Sequence, residues 1–358
     1  MADIYDEYQS LSPEEEYGDS YSRPVHSRRR KKKKHIFRKI LSLLFVFLIA
    51  VAVWLFMTVR SVISSVNYEE IDSKYADVTY SSNLVSDDDV FNILIFGVDE
   101  NTSDYGRSDS MILLSVNDTT KKIKLTSFQR DTFVFVPDPD GSYNTKLTNA
   151  YSYGGVGLTI STIEENYGIK IDRYASVNFE TFVGIVDTLG GVEMELTDRE
   201  ILYINCQIAQ NNQMDYLDAQ AGKVLLSGTQ ALWHARNRGG DVINGVEFYE
   251  GTDWDRTLRQ RNFLEAVFHK LKDASVFELV SVLKKVAPYI TTNMTESEIS
   301  SFIMKSPKYL RYTVEQTSAP ADGCWGYELN FAGDVIYVYD WDLAKSELRN
   351  FIYEDYLY

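Results

Sequence analysis

From Ile40 to Val59 the chain runs twenty residues without a charge: ILSLLFVFLIAVAVWLFMTV. Wound as a helix, a run of that length crosses the hydrocarbon core of a bilayer. Ahead of it stand Arg28 to Lys34 (RRRKKKK), then Arg38 and Lys39. Basic residues beside a span stay on the cytoplasmic side. Nearly forty residues precede the run and no small-residue cleavage site follows it, so it reads as an anchor rather than a signal peptide. Contact with anionic lipid explains the basic cluster better than nucleic acid does. The sequence therefore predicts a single-pass cell-membrane protein. It divides into a cytoplasmic basic, disordered tail at 1–39, a transmembrane helix at 40–59 and a polar stalk at 60–88. An extracytoplasmic domain follows at 89–345, then a C-terminal tail at 346–358.

Charge separates the two sides. Up to Arg60 there are 11 Lys and Arg against 7 Asp and Glu, hence +4; the remainder has 25 against 45, hence −20. A domain that acidic is a poor partner for nucleic acid. The two cysteines, Cys206 and Cys324, either pair outside the cytoplasm or remain free thiols. Two of the four histidines, His26 and His35, precede the span, which argues against a histidine-based triad or zinc site.

In this acidic domain, arginines concentrate between His234 and Arg261: Arg236, Arg238, Arg256, Arg259 and Arg261. A guanidinium is permanently charged, and its fork of donors matches phosphate oxygens two at a time. Arg236 and Arg238 sit at i and i+2, on one face of an expected strand. Arg256 and Gln260 sit at i and i+4, on a helix face that continues through Leu264, Val267 and Leu271. Charge at the inward end of an apolar stripe needs an anion. That anion is either a phosphate-bearing substrate or the neighbouring Asp241, Asp253 and Asp255.

Three apolar runs near the start of the domain predict buried strands: Phe91 to Phe96, Met111 to Val116 and Ile123 to Phe128. Polar residues stand at their ends: Asp99; Arg107 and Asp109; Arg130 and Asp131. Ligand sites in α/β sheets favour such ends. Helices are expected near 157–167, 180–189, 252–272, 275–287 and 296–310, and a short one starting at Ser227 delivers the chain to Arg236. Strands are expected at 171–179, 192–196, 311–316 and 334–340, and an irregular Gln/Asn-rich stretch at 200–222. The alternation predicts an α/β domain with a mixed β-sheet. Arginines with a carboxylate pair suit phosphoryl transfer, which needs charge neutralised and groups aligned. No GxxxxGK[ST] loop is present, which argues against one class of NTPase.

Seven segments, in order, resemble the LytR-CpsA-Psr family of bacterial envelope proteins. They are NILIFGVD (92–99), GRSDSM (106–111), SFQRD (127–131), KLTNAYSYGG (146–155), VNFETFVGIVDTLGGV (177–192), LSGTQALWHARNR (226–238) and DWDRTLRQR (253–261). The resemblance implies a membrane-bound phosphotransferase that joins an undecaprenyl-pyrophosphate-linked anionic glycopolymer, such as teichoic acid or capsule, to peptidoglycan. It implies Mg²⁺ on Asp99 and Asp109. The pyrophosphate would be held by Arg107, Arg130, Arg236, Arg238, Arg256 and Gln260. Arg236, Arg238 and Asp253 would act on the reacting groups, with Asp131 the alternative base. A pocket for the polyprenyl tail is implied too, within an α/β/α sandwich around a central mixed β-sheet, with Phe182 and Val186 as lining or as core. Gln129 replaces a usual proline and Thr148 a frequent asparagine. A non-catalytic binding or regulatory protein for the same lipid is the competing reading, and a structural envelope protein is the third.

Overall fold

The structure, a computed structural model, describes residues 29–75, 84–99, 106–239, 241–243, 245–248, 251–272 and 274–354. Of the tail expected at 1–39, residues 1–28 lie outside these residues, whereas 29–39 are helical rather than disordered and open the first helix. The chain forms two units, Met1–Leu55 and Phe56–Tyr358. The first is the body of helix α1 (Arg29–Ile63), whose stretch Ser42–Ile63 is long and apolar enough to cross a membrane. Leu43, Phe45 and Phe47 are exposed, as lipid-facing side chains would be.

In chain order the second unit carries β1 (Asn67–Tyr68), β2 (Val90–Asp99), β3 (Arg107–Asn117), β4 (Lys122–Phe128) and a hairpin of β5 (Phe133–Val136) and β6 (Tyr143–Lys146). Then come α2 (Leu147–Tyr167), β7 (Arg173–Asn178), α3 (Phe179–Thr188), β8 (Val192–Leu196), α4 (Asp198–Gln210), β9 (Gly222–Leu226) and α5 (Gly228–Arg236). A short hairpin, β10 (Asp241–Ile243) and β11 (Val246–Phe248), precedes α6 (Asp253–Leu271) and α7 (Val276–Val286). The unit closes with β12 (Thr291–Thr292), α8 (Glu296–Tyr309), β13 (Thr313–Ala319), a hairpin of β14 (Trp325–Asn330) and β15 (Gly333–Val338), and α9 (Trp341–Tyr353).

Seven strands form the central sheet in the order β1-β12-β7-β2-β3-β4-β13. The sheet is mixed: β2 runs parallel to β7 and antiparallel to β3, and β4 runs parallel to β13. Helices cover both faces, which is why β2 and β3 are nearly continuous apolar runs. On one face Leu94, Phe96, Leu113 and Phe128 join Leu158 and Ile163 of α2 and Leu348 and Ile352 of α9 in one core. On the other, Ile112, Ile123 and Leu125 meet Leu264 and Phe268 of α6. Each fully buried Leu or Phe here contributes about 2 kcal/mol. The expected α/β/α sandwich is thus the fold.

Four local expectations change. Residues 200–222 are not irregular throughout: Thr197 and Glu200 form a capping box and start α4, whose Ile201, Ile204 and Ile208 are buried. The stretch at 60–88 is not a free stalk, since β1 pairs with β12 and Tyr75 is buried in the core. Residues 346–354 are not a tail. They belong to α9 and its end, where Lys124, 1% exposed, meets Glu354 at 2.5 Å. Finally, Arg236 closes a helix rather than sitting on a strand. Ser227 and Gln230 cap its start, and the turn at Asn237 to Gly239 ends it.

Candidate active site

Antiparallel pairing of β2, β3 and β4 brings the end of β2, the start of β3 and the end of β4 to one edge of the sheet. The N-terminus of α6 and the C-terminus of α5 open onto that edge. Between the sheet and helices α3 to α6 lies a cavity of about 740 Å³. Ile95, Ile112, Ala175 and Val177 line its sheet side; Phe182, Ile185, Phe263, Leu264 and Val267 line its helix side. Asp109, Arg236, Arg238, Arg256 and Gln260 line it too, so an apolar interior ends in a charged mouth. The face of α6 expected to point inward does so from Arg256 to Val267. Val186, by contrast, is fully buried in the core between α3 and β8.

A β-bulge shapes the mouth. Gly97 pairs with Ser110 but Val98 pairs with Ser108, so Asp109 is the unpaired residue. An extra residue in a strand re-aims its side chain, often beside a site. Asp109 accepts a hydrogen bond from Arg130 Nη1 at 2.6 Å, and its carbonyl accepts one from Arg256 Nη2 at 3.2 Å. Burial pushes the Asp109 carboxyl up, but Arg130 and Arg256 outweigh it and hold the group below the usual range. Asp253 lies 2.7 Å from Arg256 Nη2 and 3.6 Å from Arg130 Nε. Burial pushes its carboxyl above the usual range. Arg256 and Arg130 pull against that, and Asp131 and Asp109 add to it.

Arg236 and Arg238 make no ion pair among the described residues. Arg236 lies over the Phe179 ring, 4.1 Å from its centre, and Arg238 is exposed. Arg130 Nε, Arg256 Nε and Gln260 Oε1 are buried with no hydrogen-bond partner. Lys146, 3.1 Å from Asp131, adds a cation. Four arginines and Lys146 thus face three carboxylates, Asp109, Asp131 and Asp253. Among the described residues the surplus is positive, in a chain of net charge −16. Such a mouth suits a multiply charged anion whose remainder is apolar.

The ion-pair reading of the arginines holds in part. Arg130 and Arg256 do meet Asp109 and Asp253, whereas Asp255 caps α6 through Thr252. Arg259 and Arg261 turn away from the mouth. Arg259 Nε donates to Glu200 at 2.8 Å and Arg261 Nη1 to Ser318 at 2.9 Å, which fastens α6 to α4 and to β13. Glu200 also faces His234; burial raises its carboxyl, but His234, the Thr197 amide and Arg259 carry it far below the usual range. The side chains of Asp99 and Arg107 lie outside the described residues, but the backbone register pairs the two across β2 and β3 at this edge. Lys146 and Phe179 were not singled out from sequence, although both fall inside segments that carried the resemblance. Cys206 and Cys324 are free thiols.

Of the carboxylate pair implied for a metal, only the Asp109 side chain is among the described residues. Among the described residues no group of three or more Asp, Glu, His or Cys could hold an ion. Asp109, kept ionised, is a hard oxygen donor of the kind Mg²⁺ takes, and Mg²⁺ is often held by one or two carboxylates plus substrate phosphate.

Fold and mouth together define an α/β domain whose apolar cavity opens on a cation-rich rim. The model of the LytR_cpsA_psr family matches residues 55–348, and the chain belongs to that family. It is 30% identical over 303 residues to the polyisoprenyl-teichoic acid–peptidoglycan teichoic acid transferase TagU of Bacillus licheniformis, covering 84% of this chain and 90% of the relative. TagU of Bacillus subtilis is 28% identical over 313 residues, 85% of this chain and 94% of the relative. Among solved structures, YwtF (TagT) with bound octaprenyl pyrophosphate lipid superposes with a TM-score of 0.56 at 22% identity. The match covers 79% of this chain and 99% of that one.

Proposed function

We propose that this chain is a transferase that moves an anionic glycopolymer, of teichoic acid or capsule type, from undecaprenyl pyrophosphate to peptidoglycan. The observation that carries the reading is the apolar cavity with a cation-rich mouth. The lipid tail enters the cavity, and the pyrophosphate lies among Arg130, Arg236, Arg238, Arg256 and Gln260, with Arg107 beside them. Asp253, its proton affinity raised by burial, takes the proton of the acceptor hydroxyl. The hydroxyl oxygen bonds to the phosphorus that carries the polymer, the bridging P–O bond breaks, and polyprenyl phosphate leaves. Arg236 and Arg238 hold the charge that builds on the non-bridging oxygens. Asp99 and Asp109 would hold Mg²⁺, which when bound neutralises the diphosphate. The transferase relatives support the reaction class, and the basic cluster ahead of the apolar run supports a cytoplasmic N-terminus with residues beyond 60 outside.

The test uses the full chain in detergent with lipid-linked polymer, Mg²⁺ and purified peptidoglycan. Arg238→Ala, at an exposed and unpaired position, should fold normally and lose roughly 10²–10³-fold in kcat. Full transfer by both Arg236→Ala and Arg238→Ala would overturn the reading. So would wild-type protein that binds the lipid and leaves its pyrophosphate intact.

A further inference from the structure

Beside the mouth, with none of its residues lining the cavity, the β14–β15 hairpin shows an aromatic surface that the reaction above does not use. It is fastened to the site at two points. Ile336 N–H donates to the Asp131 carbonyl at 2.9 Å. Trp254, the residue after Asp253, stacks on Trp325 with ring centres 4.7 Å apart and planes 20° apart. Trp254 Nε1 also donates to the Tyr327 hydroxyl at 3.2 Å. Trp325, Tyr327 and Leu329 alternate along β14 and so share one face. Tyr327 is 67% exposed and Leu329 76%, and Phe331 follows at the tip, 83% exposed. Large apolar side chains held outward together mark an interaction surface.

Charge selects the partner. From Pro320 to Ala344 there are five acids, Asp322, Glu328, Asp334, Asp340 and Asp342, and no Lys or Arg. An anionic bilayer or a phosphate-bearing polymer is repelled there. A neutral glycan is not: its pyranose rings offer C–H faces to flat aromatic rings and hydroxyls to their polar edges. Trp and Tyr combine those two surfaces in one side chain. We propose that Trp254, Trp325 and Tyr327 form the platform on which the neutral glycan backbone of the acceptor lies, placing a sugar hydroxyl next to Asp253. The inference rests on the transferase reading and locates its second substrate.

The experiment takes the full chain in detergent with a soluble oligomer of β-1,4-linked N-acetylglucosamine as probe, and measures transfer kinetics in parallel. Tyr327→Ala and Trp325→Leu should bind the oligomer about tenfold more weakly and raise the acceptor KM by a similar factor. The donor KM should not move, and Tyr327→Phe, which keeps the ring, should restore binding. Oligomer binding and acceptor KM unchanged in both variants would overturn the platform. Sedimentation with phosphatidylglycerol vesicles that depends on Tyr327, with glycan binding unaffected, would overturn it as well, by making the patch a membrane contact. If wild-type protein transfers nothing yet binds the oligomer through Tyr327, the platform stands and the transferase reading falls.

Discussion

Asp253 carries two demands at the scale of a single side chain. It must hold Arg256, and it must accept a proton. A carboxyl raised by burial releases its proton at higher pH than a free one, so the ionised base is lost as pH falls through that raised value. The acid limb of kcat/KM should therefore lie above the ordinary aspartate value of 3.8. Asp253→Asn should lower kcat by roughly 10²–10⁴-fold and remove that limb. A limb that persists in the variant would assign the proton to Asp131 or another group. Which arginines matter was only partly legible. The 3.6-residue period gave Arg256 and Gln260 their inward face, and the cavity lies there. The same count cannot tell Arg259 and Arg261 apart from them in chemistry. Those two are paired by Glu200 and Ser318, which sit 59 and 57 residues away in the chain.

Elements were most legible where periodicity is long. The central strands and the core of α6 follow directly from apolar spacing. The bulge at Asp109 does not, because a two-residue repeat carries no mark of a skipped pairing. Helix α4 hid behind its Gln and Asn content, although its Thr-x-x-Glu start was present. One residue set apart in the resemblance has a structural role: Gln129 is fully buried. Its Nε2 donates to Thr257 Oγ1 at 3.0 Å, and its amide N–H donates to Ala319 O at 2.9 Å. A proline would supply neither donor. The clasp joins the end of β4 to the second turn of α6, hence Arg130 to Arg256. Gln129→Ala and Thr257→Ala should each weaken donor binding. In a double-mutant cycle they should show an interaction of about 1 kcal/mol. Strict additivity of the two changes would show the clasp to be incidental.

For the molecule as a whole, the sequence already separated a basic N-terminal end from an acidic remainder, and the fold concentrates the few useful cations at one edge. The consequence concerns the part of the donor that never enters the cavity. A long polyanion attached to the pyrophosphate meets like charge across most of this surface. Only its head is attracted; the trailing repeats are pushed out into solvent. Donor KM should then be nearly independent of polymer length at low salt, measured with lipid-linked polymers of graded size. A KM that falls steadily with length would reveal contacts along the polymer. A grip restricted to one end would let the same protein handle short and long cargo alike, and release either once the diphosphate has been split.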